Sequence, residues 1–589
     1  MAVHESLRLH ITTDEFLFEP IDTGENELLV IDRVTQEISL RSNAGPIPSN
    51  AETFTVCGIM GVIRLTAGPY LIVITQKEKV GEIRGHMIWK VKATQLHSYK
   101  RTMFHLTEKQ NRDNSVYLSM VENVLRTENY YFSSTYDITH SLQRLHNTSP
   151  EFISMPLHER ADARFMWNGH VLRELTQQAE LARYCLPVLH GFVSINSPVV
   201  NNKSVDYILI SRRSVYRAGT RFNVRGLDNE GQVANFVETE QIVIHNDTSC
   251  SFVQTRGSIP LYWSQRPNLK YMPQAQLRSQ NHIEGLQRHF DDQVFRYGDQ
   301  VIVNLVNSKG HEGRLEKALA NTLEGFKKPR VRYEYFDFHH ECRKMRWDRL
   351  SVLLSRLEET RKQFGYFVVS SDGIPSSLQE GVFRTNCMDC LDRTNVVQGM
   401  LGQVSLEEQL QVLGVTDKHR KLEDLSQFKS LFNNVWADNA DAISKQYAGT
   451  GALKTDFTRK GKRTQVGMMM DGWNSMIRYF KNNFGDGFRQ DSIDLFLGNY
   501  EVEENEGVAR PSPLQTDRDW KFYAIPVIFL IAMAMCMISI LLPDEHVSEQ
   551  LMYVLFWGVA SAVSVAVMYR YGSEFVDQPK LVHTKVKTD

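Results

Sequence analysis

The sequence predicts a mixed α/β fold of two cytosolic domains, a β-rich N-terminal domain and a domain built around a C-x5-R loop, followed by a C-terminal hairpin of two transmembrane helices. Three observations predict it: alternating runs before residue 180, strand-like and helix-like segments from 181 to 500, and two uncharged runs after 521. A chain of 589 residues is too long for one compact core. We therefore divide it into 1–180, 181–500, a linker 501–521, spans 522–542 and 551–569 joined by a loop 543–550, and a tail 570–589.

The N-terminal domain is predicted from short runs rich in β-branched and aromatic residues, in which apolar and polar positions alternate. Strands are predicted at Leu28–Asp32, Phe54–Leu65, Tyr70–Thr75 and Met87–Val91. Helices are predicted at Ser115–Asn129 and Met166–Glu180.

The second domain alternates between strand-like and helix-like segments, which favours a sheet covered by helices. Strands are predicted at Tyr207–Ile210, Val233–Ile244, Gln300–Leu305 and Tyr366–Val369. Helices are predicted at Asn281–Phe295, Leu315–Leu323, Cys342–Gln363 and Val396–Leu410.

The C-terminal part begins with an acidic stretch that also carries Pro511 and Pro513, which predicts a flexible linker with an end-to-end distance of roughly 25 Å. Residues 522–542 and 551–569 contain no charged side chain. At about 1.5 Å per residue, each run can cross a hydrocarbon core of about 30 Å. A buried helical hairpin in a soluble core is the alternative, and two such long uncharged runs side by side argue against it.

The charged residues predict the orientation of this hairpin. The loop 543–550 has no Lys or Arg, whereas Lys521 and Arg570 flank the two spans. The positive-inside rule then puts the loop in the lumen and both termini in the cytosol. Seven cysteines, odd in number and scattered, favour the same reducing compartment. The net charge of −2 gives no global basic field, so nucleic acid is not an expected partner.

One short stretch, residues 384–395, carries the candidate chemistry. It follows the predicted strand Tyr366–Val369 and a polar loop, and it precedes the predicted helix 396–410. Backbone N–H groups of a tight loop at a helix N-terminus converge on an anion, and the same field lowers the pKa of a cysteine so that it attacks as a thiolate. Cys387 is thus the candidate nucleophile, and Arg393 can bind two phosphate oxygens through its planar fork. The phosphate loop further comprises Met388, Cys390, Leu391, Thr394 and Asn395, with the Thr394 hydroxyl able to donate to the sulfur.

The two cysteines of the loop have other interpretations. Cys387 and Cys390 have the spacing of a redox pair or of half a zinc site, but the sequence contains no second pair with ligand spacing, so no metal is expected. Both could instead be buried small side chains. Cys390 fits either that interpretation or the role of a partner that caps Cys387 as a reversible disulfide.

Two carboxylates lie in the same loop, where they would repel an anionic substrate. Either Asp389 or Asp392 could act as a general acid if its surroundings kept it protonated. Alternatively, both point outward or hold Arg393 and the loop amides in place. The sequence leaves these options open.

Residues 384–395 fill every defined position of R-x-N-C-x-D-C-L-D-R-T-N, and on these residues the chain resembles the Sac-family phosphoinositide phosphatases. Further segments resemble other core motifs of that family: Arg213–Gly226, Asn235–Gln241, Arg256–Pro260, Trp263–Gln265 and Phe336–His339. The resemblance implies that Cys387 is the nucleophile, that Arg393 binds phosphate and that no cofactor is needed. The loop lacks the glycine that tyrosine phosphatases have between Cys and Arg, which predicts a wider or more mobile loop.

The layout of the whole chain resembles the integral-membrane member of that family in the endoplasmic reticulum and Golgi. The resemblance implies a substrate in the membrane, chiefly phosphatidylinositol 4-phosphate and also the 3-phosphate, and partners at membrane contact sites or in lipid transfer. Lys585 and Lys587 resemble a dilysine retrieval signal read by coat proteins, although an ordinary basic tail would look the same. A protein tyrosine phosphatase and a non-catalytic phosphoinositide-binding tether are the alternative functions.

Two basic groups outside the loop have two interpretations each. Arg213, Arg217, Arg221 and Arg225 recur at every fourth residue. They could bind the inositol phosphate or anionic lipid headgroups, or they could form salt bridges to Glu238 and Glu240 or a solvated face, and structural roles are expected for most of them. The cluster 459–463 is expected to face anionic lipid headgroups, with a solvated surface as the alternative.

Overall fold

The computed structural model of the protein describes residues 2–22, 27–42, 50–326, 328–343, 346–418, 420–503, 506–515, 519–542 and 547–581. Within these residues the strands form two large sheets, and helices cover the larger one. The predicted mixed α/β class is therefore confirmed. The two predicted spans are both helical, and they are long and apolar enough to cross a membrane.

The smaller sheet is antiparallel, with strand order β4-β3-β2-β1-β5. Its inner face buries Phe16, Phe18 and Leu29 against Ile59 and Leu71 of the larger sheet. Its strands are β1 (Leu7–Ile11), β2 (Glu15–Pro20), β3 (Glu27–Asp32), β4 (Ile38–Ser42) and β5 (Glu52–Val56).

The larger sheet has the order β19-β18-β22-β15-β14-β13-β10-β9-β8-β7-β6, with β20 and β21 attached beside β15. Two short pairs, β11 with β12 and β16 with β17, lie outside it. The strands are β6 (Gly58–Leu65), β7 (Gly68–Ile83), β8 (His86–Ser98), β9 (Tyr130–Phe132), β10 (Leu189–Asn196), β11 (Val199–Val200), β12 (Lys203–Ser204), β13 (Asp206–Arg213), β14 (Val237–His245), β15 (Thr248–Arg256), β16 (Trp263–Ser264), β17 (Gln276–Leu277), β18 (Asp299–Asn304), β19 (Val331–Tyr335), β20 (Phe367–Val369), β21 (Pro375–Ser377) and β22 (Gly381–Asn386).

This larger sheet continues across residue 180, where the sequence suggested a domain boundary. Strand β9 pairs with β10 through Tyr131 opposite Leu189 and Tyr130 opposite His190. The long β7–β8 hairpin precedes this junction and turns at Arg84 and Gly85, both with positive φ, as the twist of a two-residue hairpin turn requires. The β-rich N-terminal part and the later strands thus share one sheet.

Helices cover the parallel strands β15, β22, β18 and β19, since parallel strands need crossover connections. Leu286, Leu315 and Leu353, from three different helices, are buried against Ile302 and Phe383 of the sheet. The helices before the spans are α1 (Glu108–Leu125), α2 (Leu142–His146), α3 (Pro150–Ser154), α4 (Leu157–Arg160), α5 (Gly169–Thr176), α6 (His282–Tyr297), α7 (Gly310–Gly325), α8 (Phe338–Glu341), α9 (Leu350–Phe364), α10 (Asp392–Val412), α11 (Ser426–Ala448), α12 (Thr455–Lys460), α13 (Gln465–Phe484) and α14 (Asp486–Phe496).

The strand that leads into the candidate loop differs from the expected one. The segment Tyr366–Val369 contains β20, which pairs antiparallel with β15, whereas the loop directly follows β22. All six residues of β22 are buried, including the polar side chains of Arg384 and Asn386. In a strand that is buried on both faces, apolar and polar residues do not alternate, so such a strand is normally recognised by a continuous apolar run. In β22 the polar residues interrupt that run, and the sequence therefore did not predict this strand.

The described part of the predicted linker is packed rather than free. Glu506 is buried and accepts hydrogen bonds from the hydroxyls of Tyr117 in α1 and of Tyr500. Leu514 packs against the same apolar core. A flexible coil was expected for residues 501–521 because acidic residues and prolines are frequent there. The described part is ordered instead, because the two tyrosines provide buried hydrogen-bond partners for the Glu506 carboxylate.

The C-terminal hairpin consists of α15 (Lys521–Leu541) and α16 (Val547–Arg570), which run side by side. The start of α15 contacts the segment that follows the hairpin, since the rings of Phe522 and Phe575 lie 5.3 Å apart. The same segment is held on the soluble part, where the backbone N–H of Asp577 donates to the carbonyl of Asn483 at 2.7 Å. Lys585 and Lys587 lie outside the described residues.

Candidate active site

The candidate loop, residues 387–391, lies at the carboxyl end of a central parallel strand. Strand β22 lies between β15 and β18 and ends at Asn386, opposite Asn304. Helix α10 begins at Asp392, so the loop joins a strand end to a helix N-terminus. Ligands of open α/β sheets bind at this kind of edge, and the helix N-terminus favours an anion there.

The loop closes tightly on the sulfur of Cys387. The backbone N–H of Cys390 donates to this sulfur at 3.0 Å, and the Thr394 hydroxyl donates to it at 3.6 Å. Cys390 adopts a left-handed backbone with φ +53°, a conformation that costs a non-glycine residue free energy. Arg225 and Asn235 stabilise the turn from outside, donating to the carbonyls of Met388 and Asp389.

The surroundings of Cys387 favour its thiolate form. The side chain of Cys390 outweighs the opposing effect of burial and, with the charge of Arg393 and the hydroxyl of Thr394, lowers the pKa of Cys387 to about 6. By contrast, burial raises the pKa of Cys185 and Cys250 to about 12. The candidate nucleophile thus differs chemically from the structural cysteines.

Cys390 is the hydrogen-bond donor of this pair and keeps its proton. Burial and the neighbouring Cys387 raise the pKa of Cys390 well above its usual value. Its thiol group lies 2.9 Å from the carbonyl of Gly257, to which it can donate. The structure thus brings the two cysteines together, with the thiolate on Cys387.

Replacing Cys390 by alanine is expected to raise the pKa of Cys387 above about 6, because the side chain of Cys390 is the largest influence that lowers it. The hydrogen bond from the backbone N–H of residue 390 remains in this variant. The measurement is the pH dependence of iodoacetamide alkylation of the peptide containing Cys387, followed by mass spectrometry. The midpoint should move to higher pH, so that alkylation slows most near pH 6. Cys342→Ala, which removes another buried thiol, is the control. An unchanged midpoint in Cys390→Ala would contradict the prediction.

Asp389 is an anchor of the loop. Its carboxylate accepts two hydrogen bonds from Arg221, at 3.0 and 2.8 Å, and one from Arg225 at 2.6 Å. Burial alone would raise the pKa of Asp389, but the two guanidinium groups outweigh it and hold the pKa well below its usual range. Asp389 therefore stays ionised. This fits the alternative in which the aspartate holds the loop in place, except that its partners are Arg221 and Arg225 and not Arg393.

Replacing Asp389 by asparagine is expected to destabilise the protein by roughly 3 kcal/mol, because it leaves buried guanidinium groups without their counter-ion. The side chain of Arg225 is only 2% exposed, so water cannot replace the lost charge. Thermal unfolding of the full-length protein in detergent measures the effect as a lower Tm. Asp372→Asn removes an equal charge from an exposed loop and should leave Tm unchanged. Equal Tm values for the two variants would rule out the anchoring role.

Asp392 has a different environment although it lies only three residues away. It accepts one hydrogen bond, from the backbone N–H of Leu453 at 2.8 Å. Burial raises the pKa of Asp392 and outweighs the opposing effects of the Arg478 charge and of the Leu453 N–H. This carboxyl group lines the cavity above the loop. It is therefore the acidic residue of the loop that is easier to protonate.

Arg393 lies at the start of α10 and is held by a carboxylate. Its guanidinium donates to both oxygens of Glu312 in α7, at 2.8 and 3.0 Å, and to the carbonyl of Leu305 at 3.1 Å. Glu312 is buried, and the interaction raises the pKa of Arg393. The planar fork expected to bind phosphate is thus already in a bidentate contact. A phosphate group must share Arg393 with Glu312 or displace it.

A cavity of about 260 Å³ opens above the loop. Its floor is formed by the loop, and its walls come from α12, α13 and the segment around Tyr271 and Met272. Besides Arg393, three cationic side chains line it, those of Arg221, Lys454 and Arg478. The cavity can therefore accept a compact anionic group next to Cys387.

The remaining loop residues support the backbone. Met388 and Leu391 line the cavity with apolar atoms, although both are almost fully buried. Asn395 points away from the sulfur: its amide donates to the carbonyl of Trp436, and its oxygen accepts from Arg256. In this structure Cys387 and Thr394 are brought together, while Asn395 positions α10 against α11.

Several side chains at the site were not predicted. Arg221 and Arg225 were treated as part of a mainly structural series, and Glu312 was not singled out. The signal for the arginines was their place in a family motif. The expected structural role fits Arg213 and Arg217, which donate to the backbone carbonyls of Gly219 and Gly226 and not to Glu238 or Glu240. The partner of Glu238 and Glu240, however, is the neighbouring Arg212.

The basic cluster 459–463 is partly neutralised. Arg459 forms an ion pair with Asp438, and Arg463 forms ion pairs with Asp456 and Asp471. Lys460 and Lys462 are exposed. No group of three or more His, Cys, Asp or Glu residues in the described part of the chain could hold a metal ion.

Comparisons with known proteins identify the family. A family model described as the SacI homology domain matches residues 57–343. The chain is 54% identical over 589 residues to phosphatidylinositol-3-phosphatase SAC1-B of Danio rerio, with 100% of both chains covered. It is 47% identical over 586 residues to the SAC1 enzyme of Drosophila melanogaster, covering 98% of this chain and 97% of the relative. It is 38% identical over 578 residues to SAC1 of Saccharomyces cerevisiae, covering 95% and 90%.

The family model covers β6 to α8, including Arg221, Arg225 and Glu312, while the full-length matches also include the loop at Cys387 and the C-terminal hairpin. Identity over the whole length of several relatives confirms the resemblance found in the sequence motifs. The chain therefore belongs to the Sac family, whose named members among these relatives are phosphatidylinositol phosphatases.

Proposed function

We propose that this protein hydrolyses the phosphate of phosphatidylinositol monophosphates, chiefly the 4-phosphate and also the 3-phosphate, to yield phosphatidylinositol. The observation that carries the proposal is the Cys387 thiolate on the floor of a cavity lined by Arg221, Lys454, Arg478 and Arg393. The name of the SAC1 relatives, phosphatidylinositol-3-phosphatase, supports the lipid class and the 3-phosphate. The preference for the 4-phosphate derives from the family resemblance.

The proposed reaction has two steps. The Cys387 sulfur attacks phosphorus as the bond to the inositol oxygen breaks, and an acid protonates that oxygen to release phosphatidylinositol. Water then attacks the phosphorus of the cysteinyl phosphate, and the acid that lost its proton in the first step accepts a proton from this water. The bond between sulfur and phosphorus breaks, which releases inorganic phosphate and restores the Cys387 thiolate. In both steps Arg393 binds the equatorial phosphate oxygens after exchanging its contact with Glu312 for the substrate.

We assign the proton donor to Asp392 rather than to Asp389. A donor must be protonated near neutral pH and close to the leaving oxygen. The raised pKa of Asp392 and its position beside the cavity favour it as the donor, whereas two guanidinium groups keep Asp389 ionised. The structural reason for the difference is that Asp392 bonds to a backbone N–H and not to an arginine.

Replacing Asp392 by asparagine is expected to lower kcat for phosphatidylinositol 4-phosphate by about 10²-fold or more, because the inositol oxygen is a poor leaving group without a proton. Hydrolysis of p-nitrophenyl phosphate, which has a good leaving group, should fall far less. A parallel loss on both substrates would contradict the assignment. The pH profile gives a second test: activity requiring protonated Asp392 declines as pH rises through its pKa, and this decline should disappear in Asp392→Asn.

The proposed function is tested with the full-length protein in liposomes. Phosphate release is measured for each of the seven phosphoinositides and for a phosphotyrosine peptide. The expected result is turnover of the 4-phosphate first and of the 3-phosphate second, with no turnover of the peptide. Peptide turnover without lipid turnover would favour a protein tyrosine phosphatase, and headgroup binding without any turnover would favour a tether.

We further propose that the hairpin anchors the protein in membranes of the endoplasmic reticulum and Golgi, with the active site in the cytosol. The proposal rests on the absence of Lys and Arg from 543–550 and on the basic residues Lys521 and Arg570 at the outer ends of the spans. Recognition of Lys585 and Lys587 by coat proteins, and partners at contact sites or in lipid transfer, remain predictions. Protease digestion of intact microsomes should remove the soluble part and leave the hairpin protected.

A further inference from the structure

Helix α13 has its polar and apolar faces reversed relative to a helix on the surface of a soluble protein. Such a helix normally buries its apolar stripe and exposes its polar one. In α13 seven apolar side chains recur at helical spacing on one face, and these seven are exposed: Val466, Met469, Met470, Trp473, Met476, Phe480 and Phe484. Met469 is 76% exposed and Trp473 is 55% exposed.

The opposite face of α13 is polar and packs on the protein. Arg478 is buried and donates to the Thr450 hydroxyl at 2.9 Å and to the Gly451 carbonyl at 2.8 Å. Asn482 donates to the carbonyl of Ala448. The orientation of the helix is therefore fixed by these polar contacts, which leaves its apolar stripe facing outward.

The C-terminal end of α13 lies next to the membrane hairpin. The Tyr479 hydroxyl donates to the carbonyl of Leu269 at 2.8 Å. Gly572, just after α16, is packed so closely on the adjacent Asn268 that a Cβ atom would lie 2.2 Å from its carbonyl oxygen. The apolar stripe therefore begins where the chain leaves the second span.

We propose that the apolar stripe of α13 lies in the cytosolic interface of the same bilayer that the hairpin crosses. A helix with an exposed apolar face and an anchored polar face has the geometry of an interfacial helix, whose apolar side enters the boundary between headgroups and acyl chains. Its position beside the end of α16 favours a bilayer over a soluble protein partner. The exposed Lys460 and Lys462, just before the helix, add attraction to anionic headgroups.

The apolar stripe of α13 would determine how the active site is positioned relative to its lipid substrate, and in that respect the inference rests on the proposed function. Ser475 and Arg478, on the inner face of α13, line the cavity above Cys387. One helix thus contacts the bilayer on one side and forms a wall of the cavity on the other. A headgroup at the membrane surface can then reach the cavity while its acyl chains stay in the bilayer.

The first test measures insertion without any turnover. Full-length protein is reconstituted into liposomes that contain phosphatidylcholine and phosphatidylserine brominated at shallow acyl positions. The fluorescence of Trp473 is obtained as the difference between the wild type and Trp473→Phe, because other tryptophans also contribute. We expect brominated lipid to quench this difference signal. An unquenched Trp473 would overturn the inference, whether the stripe is solvated or covered by a protein.

The second test separates access to the bilayer from catalysis. In the double variant Met469→Glu/Trp473→Glu, turnover of phosphatidylinositol 4-phosphate in liposomes should fall about tenfold or more, because charges oppose interfacial insertion. Turnover of a water-soluble short-chain analogue should stay within about twofold of wild type, since neither residue lines the cavity. Phe295→Glu, on the exposed surface of α6, is the matched control and should change neither rate. Equal loss on both substrates, or loss on neither, would contradict the inference. Failure of the proposed function would appear instead as no turnover of any phosphoinositide by the wild type, with the quenching unaffected.

Discussion

Replacing Cys387 by serine in the full-length protein is expected to lower the release of phosphate from phosphatidylinositol 4-phosphate by at least about 10⁴-fold. The pKa of Cys387 is lowered to about 6, so the thiolate predominates at pH 7. A serine hydroxyl does not ionise in this range, and no neighbouring histidine is among the described cavity residues to activate it. The substitution is close to isosteric, so the loop and the cavity should persist.

The measurement needs the full-length protein, because Asp577 and Lys580, which follow the second span, bond to the soluble part of the chain. Substrate binding to Cys387→Ser liposomes should persist while turnover is lost. Cys57→Ser changes a half-buried cysteine outside the site and should retain the wild-type rate. Turnover by Cys387→Ser at a rate close to wild type would exclude the cysteinyl-phosphate intermediate.

Replacing Arg393 by lysine is expected to lower kcat/KM by about 10²- to 10³-fold, the cost of losing one preorganised donor to a developing charge. Lysine keeps the positive charge but cannot form two parallel hydrogen bonds to phosphate. It can still pair with Glu312, so the fold should remain intact and Tm should change little. The loss would then report the geometry of the guanidinium and not its charge.

The matched control for this prediction is Arg356→Lys, the same substitution in an exposed ion pair with Glu334. It should leave kcat/KM unchanged. If Arg393→Lys were as active as wild type, Arg393 would not bind the transferred phosphate. The bidentate contact with Glu312 would then be its whole role.

Much of the architecture is determined by local sequence patterns. Strands such as β3 and β18 follow from short apolar runs rich in β-branched residues, and helices such as α6 follow from apolar residues that recur every 3.6 residues. The two apolar helices α15 and α16 follow from length and composition. Strand β22 and the exposed stripe of α13 did not follow, since one is buried on both faces and the other has its polar side inward.

The sequence by itself also predicted the centre of the candidate site. Cys387, Arg393 and Thr394 could be predicted because the spacing of a phosphate-binding loop is a local property of one strand, one loop and one helix start. The family followed from the motifs, since residues 384–395 match at every defined position.

Only the tertiary structure distinguished the two aspartates of that stretch. Asp389 and Asp392 are equivalent in sequence, but residues far along the chain distinguish them: Arg221 and Arg225 hold one ionised, and the backbone of Leu453 contacts the other. The partner of Arg393, Glu312, likewise comes from another helix. The physical reason is that a pKa depends on burial and on charges within a few ångströms, and the three-dimensional fold, not local spacing, brings those groups together.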